Sequence, residues 1–141
     1  MISERNVIRM KVPYPSISSR LAVQAHMYIC RRSEHPSYAF VKCQTLKPYM
    51  IIENPIRHFI DEPADLARNP FTRTTRIDCD KLFTTESVNY SEKLIAPRRC
   101  DVCQELYHKV VLELEKDGWD DVAFEDEQKL TELNPLITPI E

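Results

Sequence analysis

The chain has 141 residues and a mass of 16.6 kDa, with 43% apolar and 29% charged residues, a balance that excludes general disorder and fits one domain, or one domain with a tail. One glycine against ten prolines excludes Walker loops, dinucleotide fingerprints and nucleophile elbows, all of which need several glycines. The formal charge of −3 is uneven: residues 117–141 hold eight acids and one lysine, a net −7, which leaves +4 on residues 1–116.

This split predicts a body domain over 1–116 and an acidic C-terminal tail over 117–141. A mildly basic body suits an anionic partner, and an acidic tail is by default a solvated end. No apolar run approaches the ~20 residues of a membrane span, and the first residues lack a signal peptide's apolar core. Five cysteines without such a leader predict reduced thiols, a cytoplasmic location and no membrane association. Cys100-x-x-Cys103 invites a zinc reading, but no second pair completes four ligands. The expectation is therefore buried or helix-associated thiols, no metal and no cofactor.

Residues 6–12 read as a short strand stopped by Pro13-Tyr14-Pro15. After a polar loop, Leu21, Val23, Ala25, Met27 and Ile29 alternate with Arg20, Gln24, His26 and Tyr28, the pattern of a strand with one buried and one solvated face. Residues 31–36 form a polar turn, and 37–45 a second strand, so an antiparallel hairpin is expected. A turn centred between Ser33 and Glu34 sets Thr45 opposite Ala22 and Lys47 opposite Arg20. Pairing Val23 with Cys43 and Ala25 with Val41 matches the apolar faces better.

Met50-Ile51-Ile52 reads as a possible strand, and Asp61 with Pro63 as the start of a short helix. Residues 74–79 read as a further strand. Val102, Cys103, Leu106, Tyr107, Val110 and Leu114 form an apolar stripe at helical spacing, in a helix that begins near Pro97 and stops at Gly118. One more short helix is expected around 124–133. The order predicts a mainly β (α+β) domain, a small barrel closed by a C-terminal helix.

In this order the segments Val7-Ile8-Arg9-Met10-Lys11-Val12-Pro13-Tyr14-Pro15, Ser18-Ser19-Arg20-Leu21-Ala22-Val23, Phe40-Val41-Lys42-Cys43-Gln44-Thr45-Leu46 and Thr75-Arg76-Ile77-Asp78-Cys79-Asp80-Lys81-Leu82-Phe83-Thr84-Thr85 resemble the MazF/PemK (Kid) toxins of bacterial toxin–antitoxin systems. The resemblance implies an SH3-like barrel with a C-terminal helix. It implies an endoribonuclease that cuts single-stranded messenger RNA without metal, works as a homodimer and is inhibited by an acidic antitoxin. By the family motif Arg20 and Thr45 are the catalytic positions; Ser19, and Lys47 from the register that sets it opposite Arg20, are candidates for binding the RNA. An arginine fork suits an anionic phosphorane, and a threonine hydroxyl can hold the phosphate in line.

Tyr14 and Tyr49, next to prolines among basic residues, are candidates for stacking on unpaired bases, whereas Phe40 is expected to fill the barrel. The four histidines carry no assigned role. A second reading keeps the barrel as a non-catalytic module, in a phage or mobile-element setting, that binds RNA or a protein. Leu21 where the family has proline, and the missing glycines, motivate it. In either case the acidic tail is expected to lie over the body and weaken RNA binding.

Overall fold

A computed structural model describes residues 1–12, 25–52, 56–123 and 127–140. The elements run β1 (Val7–Lys11), β2 (Ala25–Glu34), β3 (Ser37–Thr45), α1 (Pro48–Ile52), β4 (Phe59–Glu62), β5 (Thr75–Asp78), β6 (Lys81–Thr85), β7 (Val88–Tyr90), a 3-10 turn (Glu92–Leu94), α2 (Gln104–Glu115), β8 (Asp120–Ala123), α3 (Glu127–Leu133) and β9 (Ile137–Pro139). The fold is mainly β with flanking helices. Among the described residues no helix is long and apolar enough to cross a membrane.

The sheet is built on β3. Strand β2 pairs along one side of it, and β1 pairs with β2. On the other side β5 takes the C-terminal end of β3 and β6 the N-terminal end. Beyond them lie β4, antiparallel to β5, and β8, parallel to β6. The expected barrel does not form, because the seven strands leave the sheet open. Beyond β3 the sheet divides into two branches, one ending in β4 and the other in β8, and neither pairs with β1.

The β2–β3 hairpin is present, but its register differs from both expectations. Met27 faces Cys43, Ile29 faces Val41 and Cys30 faces Phe40, and the turn is at His35–Pro36. A shift between Cys30 and Arg32 marks a bulge, so Arg32 faces Ala39. The sequence places the turn too early, and a bulge changes the count of paired residues beyond it.

Alternation along β2 and β3 creates two cores. Ile29, Ala39, Val41, Cys43 and Ile77 face α2, meeting Leu106, Val110 and Leu114, all nearly inaccessible. Helix α2 starts later than expected because residues 95–102 are tied to β1: Ala96 N donates to Val7 O and Val7 N to Cys100 O. Cys103 caps the helix, its Sγ accepting from Leu106 N at 3.4 Å. Gly118, at φ 75°, follows the helix in the left-handed region that glycine adopts without strain.

The opposite face is not solvated. Ile8, Met10, Tyr28, Cys30, Phe40 and Phe83 form a second core closed by Leu130 of α3 and Ile137 of β9. Two expectations are corrected here. Tyr28 is buried rather than exposed, and the described part of 117–141 is built into the domain. Strand β8 extends the sheet, and Asn134 takes the place of a paired strand for Lys11. Lys11 N donates to Asn134 Oδ1 at 2.7 Å, and Asn134 Nδ2 donates to Lys11 O at 2.7 Å. The described acids of this segment are exposed or half-buried, while Leu130 and Ile137 fill the core.

Two local assignments also change. Met50-Ile51-Ile52 belongs to helix α1, and residues 59–62 form strand β4 rather than the start of a helix. In β4, Asp61 pairs with Arg76 and Glu62 with Arg68. Those distant partners make two acids acceptable in a strand.

Because Leu130 is fully buried, Leu130→Ala is expected to cost about 2–5 kcal/mol. Removal of everything after Lys116 is expected to abolish the cooperative melt, not to strengthen RNA binding. Thermal unfolding of the two variants checks this; a truncated chain melting as the full chain does would contradict the second core.

Candidate functional site

Halfway along β3 the second face changes chemistry. Tyr38 and Phe40 are buried in the apolar core, whereas Lys42 and Gln44, the next residues on that face, are polar. Their neighbours across the sheet are polar too. Tyr28 lies beside Lys42, Arg76 beside Gln44 and Asp61 beside Arg76, while Phe59 lies beside Asp78. One step past the Met27–Cys43 pair, His26 joins the same surface. The result is a charged array laid on a sheet whose other half is sealed.

Asp78 is central. Its residue is 4% exposed, and burial raises its carboxyl to about 6, against the opposing pull of the Lys81 and Lys42 ammoniums. Asp80 adds to the rise, and Gln44 Nε2, donating to Asp78 Oδ1 at 3.4 Å, resists it. Burial lowers the Lys42 ammonium, outweighing the Asp78 carboxylate beside it. Burial, then Lys42 and Lys47, push His26 down to about 4, so its ring is neutral near pH 7. Burial thus draws the proton affinities of the acid and the base toward one another, the arrangement that general acid–base chemistry uses.

Arg76 serves a different purpose. Its Nε and one terminal nitrogen donate to Asp61 at 2.8 and 2.9 Å, its other terminal nitrogen donates to Met50 O at 2.9 Å, and its guanidinium lies 3.8 Å from the centre of the Phe59 ring. It pins β4 and α1 to β5 and so walls the array on one side.

Of the residues proposed from sequence, Arg20, Ser19 and Tyr14 lie outside the described residues. Thr45 ends β3, exposed, one residue past Gln44 and opposite Thr75. It lines a cleft of about 200 Å³ with Arg9, His26, Gln44, Thr72 and Thr75 at the end of the sheet where β2 begins. Thr45 shares the parity of Cys43 rather than that of Lys42, so cleft and array meet at His26 and Gln44 without coinciding. Lys47 and Tyr49 are exposed beyond that end, and Lys47 is near enough to His26 to act on its charge.

His35 and His108 are exposed. His58 lies away from the array, with Nδ1 3.3 Å from Glu113 and Nε2 2.8 Å from Asp117. Cys100 is exposed and Cys103 is half-buried as the helix cap. Among the described residues no group of three or more His, Cys, Asp and Glu side chains is arranged to hold a metal. Sequence reasoning passed over Asp78 and Lys42. The available signal was a lone charge, Lys42, in β3 and two charges, Arg76 and Asp78, within the four residues of β5.

No protein-family model, no curated protein and no solved structure matches the chain.

A carboxyl held near 6 instead of the ordinary value of 3.8 destabilises the fold once it ionises. The folded chain binds this proton more tightly than the unfolded chain, so stability is lost as pH rises from about 4 through about 6. Asp78→Asn is therefore expected to be more stable than the parent at pH 8, by up to about 3 kcal/mol, and equal to it at pH 3.5. Denaturant midpoints at the two pH values check this, and a variant weaker at pH 8 would contradict it.

Proposed function

We propose that the protein is a metal-independent endoribonuclease acting on single-stranded RNA, of the MazF/PemK kind. The observation that carries the reading is the buried Asp78 within electrostatic reach of the half-buried Lys42 on the open half of the sheet, with Asp78 near 6 and Lys42 lowered. The family itself is suggested by the sequence resemblance alone.

The Asp78 carboxylate takes the proton of the ribose 2′-hydroxyl. The 2′-oxygen forms a bond to phosphorus and the bond from phosphorus to the 5′-oxygen breaks. The Lys42 ammonium gives its proton to that 5′-oxygen, leaving a 2′,3′-cyclic phosphate and a free 5′-hydroxyl. Arg20, through the resemblance, meets the negative charge of the phosphorane. Thr45, which the resemblance makes catalytic, opens on the adjoining cleft rather than on the array, and there it and Lys47 take a neighbouring phosphate. By the same resemblance the protein works as a homodimer, and an acidic antitoxin silences it.

A second reading, a module of this fold that binds RNA or a protein without cutting it, is favoured by Arg76. Its guanidinium is spent on Asp61 and Met50 and is not offered to a phosphate.

Purified protein is expected to cleave mixed-sequence single-stranded RNA in EDTA and to leave cyclic phosphate ends. The rate is expected to rise with pH through about 6 as Asp78 ionises, and Asp78→Asn is expected to lower it by about 100- to 10,000-fold. Bound but intact RNA would select the second reading. RNA neither bound nor cut would overturn the first reading and leave the second only as a module that binds a protein.

A further inference from the structure

Strand β2 ends in two adjacent arginines, Arg31 and Arg32. In a regular strand consecutive side chains point to opposite faces, but the bulge between Cys30 and Arg32 cancels the alternation. Arg31 lies against Tyr107 of α2, its guanidinium carbon 6.0 Å from the ring centre. Arg32 faces Ala39, a residue of the core beneath α2. Both guanidiniums therefore emerge on the α2 side of the sheet. Bulges that re-aim side chains in this way are common beside functional sites.

The two arginines line a concavity of about 390 Å³ together with Ser3, Glu4, Glu34 and Trp119. The volume is that of a small-ligand site. Trp119 is 40% exposed, and its ring is held in place by Nε1 donating to Asp121 Oδ1 at 3.2 Å. Arg31 is engaged, donating to Glu4 at 3.0 Å and to the Tyr107 hydroxyl at 3.2 Å. Arg32 is not: among the described residues its single hydrogen bond is from Nε to Ser37 Oγ at 3.0 Å. Its terminal nitrogens are left for a ligand. Glu34, exposed at the rim, gives a purely anionic ligand no net advantage. A flat ring beside a guanidinium fork instead suits a ligand that is aromatic and anionic at once.

We propose that this cleft is a second contact for single-stranded RNA, in which one base stacks on Trp119 and its phosphate is held by Arg32. The inference rests on the reading of the protein as one that takes single-stranded RNA, and adds a subsite remote from the cutting site. The cutting pair Lys42–Asp78 lies on the opposite face of the sheet, and Lys42 faces Tyr28, four residues of β2 before Arg32, roughly 13 Å along the strand at ~3.3 Å each. The subsite therefore governs affinity and not the chemical step, and it selects substrates long enough to span that distance. Stacking supplies affinity with little preference among bases, because every base has a flat face.

Trp119 is the only tryptophan in the chain, so intrinsic fluorescence reports on this cleft directly. The probe is a 12-nucleotide mixed-sequence RNA, 2′-O-methylated so that it is not cut and carrying a terminal dye for anisotropy. Binding is expected to quench Trp119 with the same midpoint as the anisotropy change. Arg32→Ala and Trp119→Ala are each expected to weaken binding about tenfold, and Trp119→Phe, which keeps a ring, to recover most of the loss. Circular dichroism melts check that the variants are folded. In a cleavage assay on the unmethylated 12-nucleotide RNA, long enough to span both sites, Arg32→Ala is expected to raise KM and leave kcat unchanged. Anisotropy binding without a change in Trp119 emission, with both alanine variants binding as the parent does, would overturn this subsite and leave the RNA reading intact. Absence of binding by either signal would overturn the RNA reading and this inference with it.

Discussion

The alternation of side chains along β3 is the constraint on which the rest of the structure depends. Every second residue, Ala39, Val41 and Cys43, faces α2 and can only be apolar. The residues between them change from Tyr38 and Phe40 to Lys42 and Gln44. The strand is thus apolar on both faces at one end and on one face only at the other. Helix α3 and β9 cover the apolar end of the second face. The polar end must satisfy itself laterally, and it does so through Asp78, Arg76 and Asp61 on the neighbouring strands.

That arrangement explains why charge accumulates where it is expensive. A buried carboxylate loses hydration that two nearby ammoniums only partly replace, so it keeps its proton to a higher pH than usual. A sheet that needed only stability would do better with apolar residues at Lys42 and Asp78. Arg76 shows the contrasting, purely structural use of charge. Every nitrogen of its fork has a partner, and the pairing fixes two elements.

Much of this was legible in the sequence. The period of two in β2 and β3 gave the hairpin, and the stripe through Leu106, Val110 and Leu114 gave α2. The register was not legible, because the turn lies at His35–Pro36 and the bulge at Arg31 removes one residue from the count. The second core was hidden for a different reason. Leu130 and Ile137 are sparse apolar residues in an acidic segment, and composition averages them away. The face they cover contains Tyr28, whose alternation with apolar neighbours reads as solvent exposure. The charged array was illegible because its members, at positions 26, 42, 44, 76 and 78, come together only through register. Arg20, the residue most strongly marked by resemblance, falls outside the described residues.

The anchoring of α3 and β9 also bears on the order in which the molecule can be assembled during synthesis. Strands β1, β2 and β3 leave the ribosome early, but the apolar half of their second face waits for Leu130 and Ile137. Lys11 waits equally long for Asn134, 123 positions later. At roughly 5–20 residues per second the nascent chain exposes that surface for several seconds. Contacts of such long separation close slowly in any case. During that interval Phe40 and Phe83 lack their cover, and the half-made chain presents an aromatic sheet face to solvent.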